Sequence, residues 1–210
     1  MFKKLISVLS AALILAQAVS AQEAPDEIRK FQTAADGQSV LFRGRAAVSY
    51  VNRHFNGTYY WSSGTFLSGD VIYNGRTYYD VLLNIDACAQ DLLARHGEGR
   101  PSVVLRREYV PSFTMGESRF VNLRLAGYDS MDEGYYEVLS DSPEYVVRRV
   151  DKKLRSSVNN VNGAMIGYDD PAYREDIHTF FENCERYYLL RDGRFKRIGR
   201  RKALKLSGAK

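Results

Sequence analysis

The fold of this chain is decided by the stretch Asp70-Val71-Ile72-Tyr73-Asn74-Gly75-Arg76-Thr77-Tyr78-Tyr79-Asp80-Val81. Asn-Gly tolerates the positive φ angles of a two-residue hairpin turn, and the flanking residues are the β-branched and aromatic types that suit strands. The turn predicts three cross-strand pairs: Tyr73 with Arg76, Ile72 with Thr77, and Val71 with Tyr78. One face of the hairpin then collects the residues that we expect to be buried: Ile72, Thr77, Tyr79, Val81 and Leu83.

A second hairpin is predicted over residues 187–198, with Asp192-Gly193 as its turn. This register places Leu190 opposite Phe195, Tyr188 opposite Arg197, and Arg191 opposite Arg194. Further strands are predicted at residues 66–71, 102–107, 112–115, 119–125, 135–139 and 145–150. Their short spacing favours strands that follow one another antiparallel rather than alternating strands and helices.

Helix signals are few. Asp170-Pro171 can begin a helix that runs to about Asn183, with Ile177, Phe180, Phe181 and Cys184 on one face. Residues 202–206 can form a final turn. The sequence therefore predicts a mainly β protein, an antiparallel meander or half-barrel-like sheet with one or two short helices.

The first 21 residues have the layout of a cleavable secretory signal. Lys3 and Lys4 open it, residues 5–19 are almost entirely apolar, and Val19-Ser20-Ala21 supplies small residues for cleavage. A membrane anchor is less favoured, because a spanning helix needs about 20 apolar residues. We expect a signal peptide at 1–21, a loose lead at 22–39 and a single β-rich domain at 40–210. The mature chain would then be periplasmic, associated with the outer membrane, or extracellular.

The first hairpin also carries a resemblance. Residues 69–86 combine a strand that ends in Tyr-Asn-Gly with a strand that carries Val-x-Leu, and this resembles a group of uncharacterised exported β-rich proteins of Bacteroidota. Later segments fit the same group: Phe120-Val121-Asn122-Leu123, Gly134-Tyr135-Tyr136-Glu137-Val138-Leu139, Tyr187-Tyr188-Leu189, and the basic stretch 200–206. The resemblance implies an envelope location and no established activity, so it supplies no catalytic residues.

The two cysteines, Cys88 and Cys184, both follow the predicted signal. An even cysteine count in an exported chain favours a disulfide, which persists in an oxidising compartment. A bridge that closes so long a loop would contribute about 4 kcal/mol in the chain-entropy model. Two separate buried thiols are the alternative, and a cysteine nucleophile is the least favoured interpretation.

Common catalytic, cofactor and metal patterns are absent from the sequence. There is no Gly-x-Ser-x-Gly or His-Glu-x-x-His, and His54, His96 and His178 are widely spaced. The acids at 169, 170, 175 and 176 offer oxygens to Ca²⁺, but the favoured interpretation is a helix start with acids near its amino-terminal end. We predict no metal site and no cofactor. The net charge of +5 falls to +3 once Lys3 and Lys4 leave with the signal, and so mild a charge gives no argument for nucleic acid as a partner.

Two groups of residues are candidates for binding. Residues 191–210 hold nine Lys or Arg and one acid, and clustered basic residues attract anionic surfaces. The predicted contact residues are Arg191, Arg194, Lys196, Arg197, Arg200 and Arg201, with a solvated charged face as the alternative. Tyr59, Tyr60 and Trp61 offer stacking platforms for a sugar ring, with packing in the core as the alternative.

The sequence favours a non-catalytic protein of the cell envelope. Its partner would be an outer-membrane or periplasmic protein, or an anionic lipid or glycan. The alternatives are a hydrolase-type enzyme, whose site is assembled from residues distant in sequence, and a carbohydrate-binding module.

Overall fold

The computed structural model describes residues 40–48, 55–97, 99–158 and 177–208. The predicted signal peptide, the loose lead and the candidate calcium ligands at 169–176 lie outside the described residues.

The described ranges contain twelve strands and one helix. The strands are β1 (Arg45–Ala46), β2 (Phe55–Asn56), β3 (Leu67–Tyr73), β4 (Arg76–Asp86), β5 (Asp91–Arg95), β6 (Ser102–Leu105), β7 (Ser112–Met115), β8 (Ser118–Val121), β9 (Tyr136–Ser140), β10 (Val146–Val158), β11 (Ile177–Arg191) and β12 (Arg194–Ile198). The helix α1 spans Arg200–Ser207, and short 3-10 turns occupy Val40–Arg43 and Arg107–Tyr109.

The strands form one sheet in the order β1-β6-β5-β4-β3-β7-β8-β9-β10-β11-β12, and β2 adds to β11. All pairings are antiparallel except that of β2 with β11. Most neighbours in the sheet are also neighbours in sequence, as in a meander. The predicted mainly β, antiparallel fold is confirmed.

The first hairpin has the predicted pairs, but its buried face differs. Asp80 has φ 55°, and the register shifts between Gly69 and Val71, which is the mark of a β-bulge. A shift of one residue moves the side chains that follow to the other face. The core therefore contains Val71 together with Val81 and Leu83, whereas the side chains expected beside them stay half-buried: Ile72, Thr77 and Tyr79.

The sheet curls without closing. Leu92 of β5 and Phe120 of β8 belong to one buried cluster, although β4, β3 and β7 lie between their strands. Neighbouring strands are about 4.8 Å apart, so four steps across a flat sheet would separate them by about 19 Å. The curl also brings the turn after β4 to β10, where the Ala87 carbonyl accepts a 2.9 Å hydrogen bond from the Lys152 amide. The curled, open sheet therefore has a half-barrel-like arrangement.

A narrow junction joins β3 to β7. One pair, Val71 with Phe113, connects them in register. A Cβ atom on Gly69 would lie 1.9 Å from the Thr114 carbonyl oxygen, so only glycine allows the two backbones to approach this closely. The Asp70 amide donates a 2.9 Å hydrogen bond to Thr114 Oγ1 beside it.

The predicted helix ending near Asn183 is wrong over its described part. Residues from Ile177 onward form β11, which pairs with β10 without interruption from Val158 to Val146. Aromatic residues such as Phe180 and Phe181 suit either element, and the long partner strand decides in favour of a strand. The predicted final turn is confirmed as α1, whose Ala203 is buried in one cluster with β10 and β11 residues.

Candidate functional site

The predicted basic residues lie around one edge of the sheet. Arg191 on β11 and Arg194 on β12 are register partners, as expected. All six predicted residues are exposed, and Lys202 and Lys205 of α1 are exposed beside them in sequence. We call these eight residues the basic edge: Arg191, Arg194, Lys196, Arg197, Arg200, Arg201, Lys202 and Lys205.

The basic edge wraps around the sheet. Lys196 pairs with Leu189, whose side chain packs in one cluster with α1. Arg197 is the next residue, and it pairs with Tyr188, which belongs to the cluster under the opposite face. Because successive residues of a strand point to opposite faces, the two basic side chains lie on different sides. The edge therefore suits an extended anionic surface better than a small ion.

Few acids neutralise the basic edge. Within the described residues, its ion pairs are Arg191 with Glu144 at 3.9 Å and Lys196 with Asp192 at 3.7 Å. Both are long, and both join side chains in contact with solvent. Such pairs contribute little to stability, so most of the positive charge stays available.

Two placements in the basic edge oppose folding. Arg191 and Arg194 carry like charges directly opposite one another, which destabilises a strand pair. The first turn of α1 holds Arg200, Arg201 and Lys202 and no acid, although the amino-terminal end of a helix dipole is positive. Both placements therefore cost stability, and local costs of this kind are typical of functional sites.

The aromatic group packs inward. The ring of Tyr59 is buried and stacks on Tyr60 with a centroid distance of 4.2 Å. The Trp61 ring meets Phe120 edge-on at 5.2 Å and packs against the largest core cluster. Tyr60 in turn meets Phe66 at 5.8 Å. The contacts of these rings are those of core packing, which was the alternative to a sugar platform.

The predicted disulfide does not form in the structure, where Cys88 and Cys184 are both free thiols. Cys184 lies on β11 opposite Asp151 of β10. Cys88 follows Ala87, whose carbonyl binds the Lys152 amide on the other side of β10. Strand β10 therefore separates the turn that carries one thiol from the strand that carries the other.

The surroundings of Cys88 make it a poor nucleophile. Burial, assisted by the nearby Asp86 carboxylate, raises the pKa of the Cys88 thiol to about 11. Burial also lowers the pKa of Lys152, whose ammonium group donates to the carbonyl oxygens of Thr58 and Tyr60. A thiol with so high a pKa carries little thiolate at neutral pH, and the thiolate is the reactive form.

Of the predicted histidines, the structure describes the side chain of His96. Its ring meets that of Phe42 edge-on at 5.1 Å. The side chains of His54 and His178 lie outside the described residues. In the described part of the chain, no group of three His, Cys, Asp or Glu residues has metal-binding geometry.

Sequence reasoning missed a cavity of about 790 Å³ at the β1–β6 end of the strand order. Five arginines line it: Arg43, Arg45, Arg106, Arg107 and Arg124. They come from three separate segments, 43–45, 106–107 and 124, which the pairing of β1 with β6 and the loop after β8 bring together. The adjacent pair Arg106-Arg107 was the one local signal, and it does not identify the other three.

Three acids share the cavity with the arginines. Asp91 accepts from Arg107 at 2.9 Å and lies 3.6 Å from Arg45. Glu133 pairs with Arg107 at 3.2 Å and with Arg124 at 3.0 Å. The third acid, Glu108, is bound by the neighbouring Arg106. Five positive and three negative groups leave the cavity with a formal excess of +2.

The described helix α1 is short and basic, and no helix within the described ranges has the length and apolar character needed to cross a bilayer. Comparisons of the chain with protein-family models, with curated proteins and with solved structures found no match.

Proposed function

We propose that this protein is a non-catalytic component of the cell envelope that binds a phosphate-bearing anionic lipid surface through its basic edge. The observation that carries the proposal is the uneven distribution of charge along the chain. Residues 191–210 have nine basic residues and one acid and so contribute +8, whereas the whole chain has +5. Residues 1–190 therefore carry −3 together, and the positive charge is concentrated at one end.

The geometry of the basic edge supports this partner. Eight exposed cationic side chains lie on both faces of a sheet edge and on α1, with two long ion pairs among the described residues. Each Lys or Arg near an anionic membrane contributes about 1 kcal/mol to binding. A lipid surface would also relieve the repulsion between Arg191 and Arg194 and supply the negative charge that the first turn of α1 lacks.

Protection of an exposed strand is a competing explanation for some of these residues. Charged side chains on an edge strand prevent other strands from adding to it, and β12 is the last strand in the sheet order. This explanation accounts for Arg194, Lys196 and Arg197. It does not account for the basic residues of α1, which is not a strand.

Vesicle sedimentation at physiological salt tests the proposal. We expect the protein to bind vesicles that contain phosphatidylglycerol and not vesicles of phosphatidylcholine alone. The double substitution R200E/R201E should weaken binding by at least about thirtyfold, at about 1 kcal/mol for each cation lost. The matched control R76E/R100E reverses two exposed arginines outside the basic edge and should bind nearly as the unchanged protein does.

The same variants distinguish a lipid contact through the basic edge from nonspecific electrostatic binding. If R76E/R100E loses as much binding as R200E/R201E, net charge rather than the basic edge is responsible, and the proposal fails. Equal binding to neutral vesicles also contradicts it. Binding to an acidic polysaccharide, but to neither kind of vesicle, would replace the lipid surface by a glycan.

A further inference from the structure

The arginine-lined cavity has two buried hydrogen-bonding groups in or next to its wall that lack a partner among the described residues. Arg107 is its central residue, since its two terminal nitrogens bind Asp91, Glu133 and the Ala89 carbonyl. Its Nε is buried and has no hydrogen-bond partner among the described residues. Most buried polar groups in proteins are paired, so such a donor requires an explanation.

The second group is the hydroxyl of Tyr135, which does not line the cavity but is buried next to residues that do. The side chain of Tyr135 is 3% exposed, and its hydroxyl has no hydrogen-bond partner within the described residues. Its charged neighbours are Arg107, Asp91 and Glu108, all of which line the cavity. Burial raises the pKa of Tyr135, so the hydroxyl keeps its proton and can donate it in a hydrogen bond.

Arg43 adds an uncompensated charge. It lines the cavity, is exposed, and has no ion pair among the described residues. Arg107 Nε and the Tyr135 hydroxyl have no contact with solvent, so the exposed guanidinium of Arg43 is the donor that a ligand in the cavity reaches directly. An oxyanion accepts the hydrogen bonds of a guanidinium, and its negative charge complements the formal excess of +2 in the cavity.

Part of the cavity lining is apolar. Val40 and Leu125 belong to it and are unusually exposed for aliphatic side chains, at 57% and 46%. Tyr73 also lines the cavity. A volume of about 790 Å³ falls within the range of roughly 300–1,000 Å³ that small-molecule sites occupy. There is room for an apolar group as well as an anionic one.

We propose that this cavity binds a small amphipathic acid, whose carboxylate or phosphate is held by Arg43 and attracted by the excess positive charge of the cavity, and whose apolar part lies against Val40 and Leu125. The site is separate from the basic edge, and it stands or falls independently of the lipid contact. Carboxylate and phosphate share the geometry that a guanidinium recognises, so the headgroup is left for the experiment to identify.

Isothermal titration calorimetry with matched probes tests the proposal. Octanoate and octyl phosphate carry both features, acetate and inorganic phosphate lack the chain, and octan-1-ol lacks the charge. We expect one-to-one binding of octanoate, octyl phosphate or both, at least tenfold tighter than that of the three single-feature probes. The tighter of the two identifies the headgroup.

Substitutions at the donors keep the test free of folding artefacts. Arg43→Gln removes a charge that pairs with no described residue and should weaken binding by about tenfold, as expected for a charged hydrogen bond. Tyr135→Phe should leave the affinity nearly unchanged, because the Tyr135 hydroxyl is buried and does not line the cavity. Arg100→Gln is the matched control, because Arg100 is exposed and does not line the cavity.

Two results would overturn the inference. One is the absence of binding by both amphipathic probes, or binding of octan-1-ol as tight as that of octanoate. The other is unchanged affinity in Arg43→Gln, measured on a variant whose melting curve shows that it is folded. Loss of vesicle binding in R200E/R201E leaves these outcomes unaffected, so the two proposals fail separately.

Discussion

The guanidinium group of Arg149 donates a 2.6 Å hydrogen bond from Nη1 to the backbone carbonyl of Glu133. Arg149 is buried on β10, and its Nε also binds Asp151 at 2.8 Å. The carboxylate of Glu133 binds Arg107 and Arg124 in the cavity. One buried arginine therefore fixes the wall of the cavity to strand β10.

Replacement of Arg149 should be strongly destabilising. Arg149→Met leaves the Glu133 carbonyl without this donor and weakens the support of the Asp151 carboxylate. Removal of one partner from a buried pair costs about 3 kcal/mol, which urea denaturation measures as a lower midpoint. The control is Arg155→Met on the same strand, whose pair with Glu182 at 2.9 Å is exposed and should matter little. Equal midpoints for the two variants would contradict the role assigned to Arg149.

Substitution of Gly69 should disrupt the junction between β3 and β7. In Gly69→Ala the new Cβ meets the Thr114 carbonyl, and relief of this overlap requires the backbones to move apart. We expect a loss of at least about 2 kcal/mol in the free energy of unfolding. Gly64→Ala is the control, since its Cβ would make an ordinary contact of 3.9 Å with the Tyr60 ring. That variant should be neutral or slightly stabilised.

Tyr136, the first residue of β9, and Tyr135, which precedes it, should respond in opposite ways to the loss of their hydroxyls. Tyr135→Phe removes a buried hydroxyl without a described partner and should stabilise the ligand-free protein by about 1 kcal/mol. Tyr136→Phe removes a hydroxyl that donates to the Asp132 carbonyl at 3.1 Å and should cost about 1 kcal/mol. Thermal melts of the two variants, side by side, provide the comparison. A loss in both would show that the Tyr135 hydroxyl is paired in solution.

Asp86 should make stability depend on pH. Its pKa is raised from 3.8, because burial outweighs the hydrogen bonds from the Cys88 and Ala89 amides to Oδ1. The folded state then binds a proton more tightly than the unfolded state does. The stabilising contribution of the protonated group is complete below the unfolded pKa and is lost as the pH rises through the raised, folded one.

The substitution Asp86→Asn tests this dependence, because an amide oxygen can accept the same two hydrogen bonds without a charge. We expect the variant to be more stable than the unchanged protein at pH 7 and the gain to vanish below about pH 4. Urea titrations at a series of pH values provide the measurement. Asp129→Asn, at an exposed position, serves as the control. A gain that is constant across the series would rule out titration of Asp86 as its cause.

Features that depend on neighbouring residues were predictable from the sequence, whereas features that depend on residues distant in sequence were not. Both Asx-Gly hairpins have the predicted register, because a two-residue turn fixes the pairing of its own flanks. The bulge at Asp80 is a single residue with positive φ, and no local pattern indicates it. The helix predicted up to Asn183 failed because the spacing of its apolar residues fits either element. The pairing of these residues, as β11, with β10 decided in favour of a strand.

The two candidate sites differ in the same way. The basic edge was visible in the sequence, since its residues are nearly contiguous and become adjacent whatever the fold. The cavity was not, because Arg43, Arg107 and Arg124 become neighbours only through the pairing of β1 with β6 and the curl of the sheet. The unpaired Tyr135 hydroxyl likewise has no signature other than its place in the fold.

The pairing of β1 with β6 sets an order of assembly during synthesis. Arg45 is opposite Val104, so β1 lacks its neighbour until the ribosome has added the residues between them. At roughly 5–20 residues per second this takes about 3–12 seconds. Strands β8 to β12, by contrast, each add to the strand made just before. The arginine-lined cavity, whose last lining residue is Glu133, has all its residues before β9 to β12 are made.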